Sequence, residues 1–138
     1  MNAPVKISLG MIAIVVDDYD FAIKHVIEDL DFTLLEDTQL SPDKRWVVVS
    51  PGHDGARILL AKASNAEQTA AIGNSTGGRV GFFLYTNSFT STYEKYLARG
   101  VEFTEKPRSE TFGQVVVFKD KYGNKWDLIE NQTLGQSH

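Results

Sequence analysis

The sequence predicts an α+β fold in which one β-α-β-β-β unit occurs twice. Apolar runs of strand length, two stretches with apolar residues at helical spacing, and the same order of elements in both halves support this. The 138 residues are 42% hydrophobic and 23% charged, which is enough apolar material for one domain spanning 1–138. We place a first module at about 7–62, a linker at 63–78, a second module at about 79–130 and a polar tail at 131–138.

The first module opens with an apolar, β-branched run at residues 7–16, which predicts a strand buried on both faces. Asp17 and Asp18 follow as candidate helix caps, and apolar residues at helical spacing continue to about Asp31. Three more strands are expected at residues 32–38, 45–50 and 57–61, separated by turns that contain proline or glycine.

The linker is polar, with one short helical turn expected at residues 67–72. A strand at 79–85 then leads to a helix that Asn87 or Ser88 caps and that ends at Gly100. Strands are expected at 101–104, 114–118 and 125–129, which completes the second unit. The apolar pattern aligns Val16 with Leu84 between the two copies.

Composition excludes several classes of function. The chain has 14 Lys and Arg against 18 Asp and Glu, a net charge of −4 without a basic cluster, so we expect no nucleic-acid partner. It has no cysteine, which excludes thiol catalysis and cysteine-bound zinc. Residues 1–6 lack a signal-peptide layout and the longest apolar run, 11–16, is too short for a membrane span. We therefore expect a cytoplasmic protein without membrane contact.

Three stretches resemble motifs of the vicinal oxygen chelate superfamily of glyoxalases, bleomycin resistance proteins and extradiol dioxygenases. Val16-Asp17-Asp18 followed by Ala22 resembles the signature that opens a module. Residues 96–101 resemble the end of the second-module helix, and residues 118–128 are similar to the closing D-P-D-G-N-x-W-E-L hairpin. The resemblance implies two modules that form a curved, partly open mixed β-sheet cleft, the glyoxalase-like fold, and commonly a homodimer.

Enzymes of this superfamily hold a divalent metal with residues of the first and last strands of each module. By resemblance, the four ligand positions fall on Met11, Leu59, Arg79 and Asp127. Only Asp127 is a plausible metal ligand, because a thioether is a poor ligand for such metals and an arginine repels a cation. The histidines, His25, His53 and His138, show no metal-ligand spacing. We expect no metal cofactor, with a divalent metal as the alternative.

We therefore expect a protein that binds a small, partly apolar organic molecule in an aromatic-lined cleft without a metal. The expected ligand-binding residues are Arg79, Asp127, Met11, Leu59, Trp46 and Trp126. For any one aromatic residue, packing in the core is the competing interpretation. Arg79 and Asp127 are also expected to form an ion pair where relatives hold the metal.

Two other functions stay open on the sequence. One is a metal-dependent enzyme of the superfamily, either a glyoxalase-like lyase or isomerase or a ring-cleaving dioxygenase. The other is an interaction module whose sheets serve dimerisation. No nucleophile–base motif and no phosphate-binding glycine loop is present in the sequence.

Overall fold

The computed structural model describes residues 3–52 and 55–133, and its first module forms a four-stranded sheet in the order β1-β4-β3-β2. The strands are β1 (Met11–Val16), β2 (Thr33–Ser41), β3 (Lys44–Ser50) and β4 (Arg57–Lys62). Helix α1 (Tyr19–Lys24) follows β1 and continues as a π-helical turn, His25–Asp29. β1 and β4 run parallel, whereas the other neighbours are antiparallel.

The second module repeats this arrangement, with β5 parallel to β9 in a sheet ordered β5-β9-β8-β6, and β7 also paired with β8. Its strands are β5 (Val80–Thr86), β6 (Glu102–Phe103), β7 (Arg108–Glu110), β8 (Gly113–Lys119) and β9 (Lys125–Glu130). Helix α2 (Ala66–Ala71) lies in the linker, and α3 (Phe89–Ala98) follows β5. The predicted α+β fold with two β-α-β-β-β modules is confirmed, apart from the additional short strand β7 in the second module. No helix in the described part of the chain is long and apolar enough to span a membrane.

The helix starts agree with the polar residues before them. The Asp18 carboxylate accepts a hydrogen bond from the backbone N–H of Phe21 at 2.8 Å and so caps α1. Ser88 occupies the equivalent position before α3, but its side chain makes no capping hydrogen bond there. When the positions of Asp18 and Ser88 are aligned, Val16 corresponds to Thr86, two residues later than the predicted partner Leu84. The difference arises because β5 stays paired with β9 to Thr86, beyond the apolar run.

The first strand is shorter and less buried than predicted. β1 begins at Met11, where its pairing partner β4 begins at Arg57, so residues 7–10 have no neighbouring strand among the described residues. Only one face of β1 is buried: Ile14 is 8% exposed, whereas Ala13 lies on the exposed face. The apolar run predicted burial on both faces because sequence alone does not reveal that the sheet is covered on one side only.

In the second module, the predicted strand at 101–104 is reduced to the two residues of β6. The short strand β7 was not predicted, because its Arg-Ser-Glu sequence carries no apolar alternation.

The helix-covered faces of both sheets pack on each other in one continuous core. Trp126 lies at its centre, with ring centroids 5.7 Å from Phe32, 4.7 Å from Phe82 and 5.8 Å from Phe118. Phe32 belongs to the first module and the other three aromatic residues to the second. This contact is therefore part of what holds the two modules together.

Polar contacts between the modules surround this core. The buried Tyr96 hydroxyl of α3 donates a hydrogen bond to the carbonyl of Leu30 at 2.7 Å. Asp31 accepts from Lys95 at 3.0 Å and from Arg99 at 2.7 Å. Since each pair joins residues that are more than sixty positions apart, these contacts fix α3 against the end of the π-helical turn.

His25 makes a further connection between the modules. The backbone N–H of Lys121 donates to its Nε2 atom at 3.1 Å, so Nε2 is unprotonated. Nδ1 therefore carries the proton and donates to Asp29 at 2.7 Å. The side chain is 4% exposed, and its role is structural, because it connects the two modules.

The Tyr96→Phe variant tests how much the hydroxyl contact contributes to the packing of the modules. We expect the free energy of unfolding to fall by about 1–3 kcal/mol, because the buried Leu30 carbonyl loses its donor. Tyr93→Phe is the matched control, since the Tyr93 hydroxyl makes no hydrogen bond within residues 3–52 and 55–133. Urea denaturation measures both variants, and equal losses would contradict a specific contribution of the Tyr96 bond.

Candidate functional site

Each sheet has a second face that lies away from the shared core, which we call the first and second open faces. Alternate residues of a strand share a face, and directly paired residues share it too. Ala13 pairs with Leu59, which pairs with Val48, and none of the three belongs to the core cluster. The first open face therefore carries Met11, Ala13, Val15, Trp46, Val48, Leu59 and Ala61.

Trp46 is half-buried on this face. Its indole N–H donates a hydrogen bond to the carboxylate of Glu36 on β2 at 3.2 Å. Met11 and Leu59, the two predicted residues of the first module, are also half-buried here. Three of the predicted site residues thus share one side of one sheet.

The second open face has more exposed aromatic side chains than the first. Phe83 pairs with Asp127 and Tyr85 with Ile129, and Asp127 pairs in turn with Val117. Phe83 is 56% exposed and Tyr85 is 50% exposed. An exposed apolar surface that surrounds one carboxylate is typical of a binding surface.

Asp127 is the ionisable group at the centre of the second open face. Burial beside apolar neighbours raises the pKa of its carboxyl, Arg108 lowers it in part, and Glu105 raises it further. The net direction is upward. The protonated form, which can donate a hydrogen bond to a ligand, is therefore favoured more than in a solvated carboxyl.

The predicted ion pair between Arg79 and Asp127 is wrong. Arg79 is exposed, lies one residue before β5, and is absent from the ion pairs among the described residues. The charged groups that act on Asp127 are Arg108 and Glu105. Pairing of the strands explains the error, because Phe83 is opposite Asp127 and Val80 is opposite Lys125.

The alignment of the two modules also moves the expected ligand position on the fifth strand. Since Val16 corresponds to Thr86, Met11 corresponds to Gly81 and not to Arg79. Gly81 is the residue that the pairing of β5 with β9 skips, between Val80 and Phe82. Because glycine has no side chain, Gly81 cannot provide a metal ligand at this position.

Trp126 does not line an open face. It is 3% exposed and stacks on Phe82 in the core, so the competing interpretation of core packing holds for both residues. Its indole N–H donates to the Asp120 carboxylate at 3.0 Å, within the turn before β9. In a strand, the two faces alternate, and Asp127 on the open side requires Trp126 on the core side.

The residues at the superfamily's ligand positions do not fit a divalent metal. Met11 and Leu59 lie on one open face and Asp127 on the other, and the core separates the two faces. Within residues 3–52 and 55–133 there is no group of three His, Cys, Asp or Glu side chains that could hold a metal ion. Both ring nitrogens of His25 are hydrogen-bonded, one to Lys121 and one to Asp29. His53 and His138 lie outside the described residues. No step of chemistry through a metal follows from this chain's residues.

Phe83 and Tyr85 are the residues that the sequence reasoning missed. They stand in the run Phe82-Phe83-Leu84-Tyr85, which is apolar at every position and predicts a strand buried on both sides. Only the pairing with β9 distinguishes Phe83 and Tyr85 from the core residues Phe82 and Leu84.

A groove of about 630 Å³ lies between the modules, beside β5. Four consecutive residues, Phe83 to Thr86, border it, together with Leu30–Phe32 of the first module and Lys95 and Tyr96 of α3. Consecutive residues of a strand point to opposite faces, so a groove that touches all four runs along the edge of the strand. That edge is free, because β5 is the outermost strand of its sheet.

A sequence model of the Glyoxalase/Bleomycin resistance protein/Dioxygenase superfamily matches residues 8–128. An uncharacterized protein of Shewanella frigidimarina (strain NCIMB 400) is 49% identical over 127 residues, which cover 91% of this chain and 94% of that protein. The chain belongs to the Glyoxalase/Bleomycin resistance protein/Dioxygenase superfamily.

Solved structures share the fold. The crystal structure of UcmS2 is 26% identical with a TM-score of 0.77, over 90% of this chain and 98% of that one. TnmS3, an antibiotic binding protein from Streptomyces sp. CB03234, is 23% identical with a TM-score of 0.72, over 92% of this chain and 98% of that one.

The raised pKa of Asp127 predicts a pH-dependent difference between the wild type and Asp127→Asn. A carboxyl with a raised folded pKa contributes stability below its unfolded pKa, and this contribution is lost as pH rises through the folded pKa. We therefore expect the free energy of unfolding of the variant, relative to wild type, to increase between about pH 3 and pH 7. Denaturant titrations across this range measure it.

Asp31→Asn provides the control of opposite sign. Burial acts to raise the pKa of Asp31, but hydrogen bonds from Lys95 and Arg99 outweigh it and hold the pKa below its usual value. Its contribution is present above the unfolded pKa and is lost as pH falls. The Asp31 variant should therefore lose more stability near pH 7 than near pH 3, and a parallel response of the two variants would contradict the assignment for Asp127.

The poor fit of the ligand positions predicts that purified protein carries far less than one divalent metal ion per chain after dialysis. Affinity for a transition metal needs several donors that converge with suitable geometry. Elemental analysis by mass spectrometry measures the content, with Asp127→Asn as a comparison. About one zinc, nickel, iron or manganese ion per chain, lost in the variant, would reinstate a metal site at Asp127.

Proposed function

We propose that this protein binds a small, partly apolar organic molecule on its second open face, without a metal, and that it does so as a homodimer in the cytoplasm. The two modules act as one domain in this proposal, because one core joins them. The observation that carries it is the cluster of Phe83, Tyr85 and Val117 around the partly desolvated Asp127.

The chemistry of this surface selects the kind of ligand. Phe83 and Tyr85 offer aromatic faces for a flat, apolar body. Asp127 offers one hydrogen-bonding group whose protonated form is favoured by its surroundings. The protonated form can donate to a neutral ligand and the ionised form attracts a cation and repels an anion, so a neutral or cationic aromatic molecule with a hydrogen-bonding substituent suits this combination.

A second copy of the chain would complete the site. On the open faces of one chain Val48 and Ile129 are buried, whereas two large apolar side chains of the second open face remain exposed, Phe83 at 56% and Tyr85 at 50%. Surfaces and free strand edges of this kind are usually covered by a partner. The homodimer also agrees with what the family resemblance implies.

TnmS3 supports the binding function by its fold. It is an antibiotic binding protein with the same arrangement of modules, so this fold can hold an organic molecule of that class. The chemistry of its ligand is not transferred to this chain, because one fold hosts many ligands. In this chain, the residues that support the binding function are those of the second open face.

Binding of N-phenyl-1-naphthylamine, a neutral aromatic fluorophore, tests the site, followed by a panel of planar aromatic antibiotics. We expect Phe83→Ser to weaken binding at least about tenfold, which corresponds to losing about 1.4 kcal/mol of apolar contact. Phe112→Ser is the matched control, because Phe112 is 61% exposed but lies in the turn before β8. Fluorescence titration gives both affinities, and equal binding by the two variants would place the site elsewhere.

A further inference from the structure

Arg108 places a cation on the second open face. Its strand partner Val115 pairs with Ile129, and Ile129 pairs with Tyr85, so these four residues form one row across the sheet. Directly paired residues share a face. Arg108 also interacts electrostatically with Asp127, which lies on the same face. Both observations place the guanidinium on the side of the sheet that carries the exposed aromatic residues.

The row has an aromatic end and a charged end. Tyr85 is 50% exposed and the Arg108 side chain 45% exposed, whereas Ile129 and Val115 between them are buried, at 9% and 3%. Neighbouring strands lie about 4.8 Å apart, so the row measures roughly 14 Å from β5 to β7. A ligand that rests on the aromatic end and reaches the charged end is therefore longer than a single aromatic ring.

Two glutamates fix the orientation of the Arg108 side chain. Its Nε atom donates a hydrogen bond to Glu105 at 2.7 Å, and its Nη1 atom donates to Glu110 at 2.6 Å. All three side chains are partly exposed to solvent, so these ion pairs contribute little to stability. Their effect is on orientation, because a guanidinium that is bound on two sides loses rotational freedom before a ligand arrives.

One side-chain nitrogen of Arg108 is left for a ligand. The Nη2 atom has no hydrogen-bond partner within residues 3–52 and 55–133. Arg45 of the first module provides the contrast, because it also lies between two carboxylates but uses all three side-chain nitrogens to bind Asp37 and Asp20. The Arg108 guanidinium thus keeps the two N–H groups of Nη2 for an acceptor outside the chain.

The charges around Arg108 select a neutral acceptor. Glu105 and Glu110 carry two negative charges against the single positive charge of Arg108, and Asp127 adds a further negative charge when it is ionised. A carboxylate or phosphate group on a ligand therefore meets net repulsion at this end of the row. A carbonyl oxygen accepts a hydrogen bond without carrying a charge, so it suits the free N–H groups of Nη2.

We propose that Arg108 is a specificity-determining residue of the ligand site, and that its Nη2 atom donates to a carbonyl oxygen at one end of an elongated, neutral aromatic ligand. The apolar body of this ligand rests on Phe83 and Tyr85. The inference rests on the proposed function and names the chemical group that the site selects. Glu105 and Glu110 hold the guanidinium in place for this contact.

Two anthracene derivatives test this, because 2-acetylanthracene has a carbonyl group where 2-ethylanthracene has a methylene group. We expect the wild type to bind the acetyl compound at least about tenfold more tightly than the ethyl compound. Arg108→Met should remove this preference and change the affinity for the ethyl compound less than about twofold. Fluorescence titration measures each affinity. A wild type without the preference, or a variant that keeps it, would overturn the role of Arg108.

Arg45→Met is the matched control. It removes an arginine that also lies between two carboxylates, but in the first module and without a free nitrogen. This variant should keep the preference for the acetyl compound. Loss of the preference in both variants would indicate an indirect effect of removing a charge and would overturn direct recognition by Arg108.

Phe83→Ser separates a failure of this inference from a failure of the proposed function. We expect it to weaken binding of both anthracene derivatives by a similar factor, because it removes the aromatic end that both compounds share. If Phe83→Ser weakens both but Arg108→Met does not discriminate between them, the ligand site stands and the role of Arg108 is overturned. If Phe83→Ser changes neither affinity, the ligand binds elsewhere and both proposals are overturned.

Discussion

The packing of the two sheets through their helix-covered faces is the constraint on which the rest of the structure depends. Trp126 and Phe32 meet in this core, and the Tyr96 hydroxyl bonds to Leu30 at its border. Because each sheet uses one face for this contact, the other face is left uncovered. The second open face carries the candidate ligand surface, on which Phe83 and Tyr85 are exposed.

The same constraint decides how residues from the two modules can cooperate. Met11 and Leu59 lie on one open face and Asp127 on the other, with the core between them. Within one chain they cannot converge on a metal or a ligand. A site that uses both faces requires a second copy, whereas Phe83, Tyr85 and Asp127 share one face already. The proposed binding function depends only on the latter group.

Much of the fold could be predicted from the sequence because its signals are local. The Asp18 side chain caps α1, Gly100 follows α3 with a positive φ of 83°, and apolar runs locate most strands. The failures have physical causes. The start of β1 depends on where its partner β4 begins, and β7 forms by pairing with β8 and not by its own composition.

The sequence by itself determined the α+β class and the repeated unit, since composition and short-range pattern carry this information. Only the tertiary structure decided which face of each strand is open. It placed Trp126 in the core, separated Arg79 from Asp127, and left Phe83 exposed. Runs such as residues 82–85 are apolar at every position, and pairing with a distant strand decides which side chains meet the core.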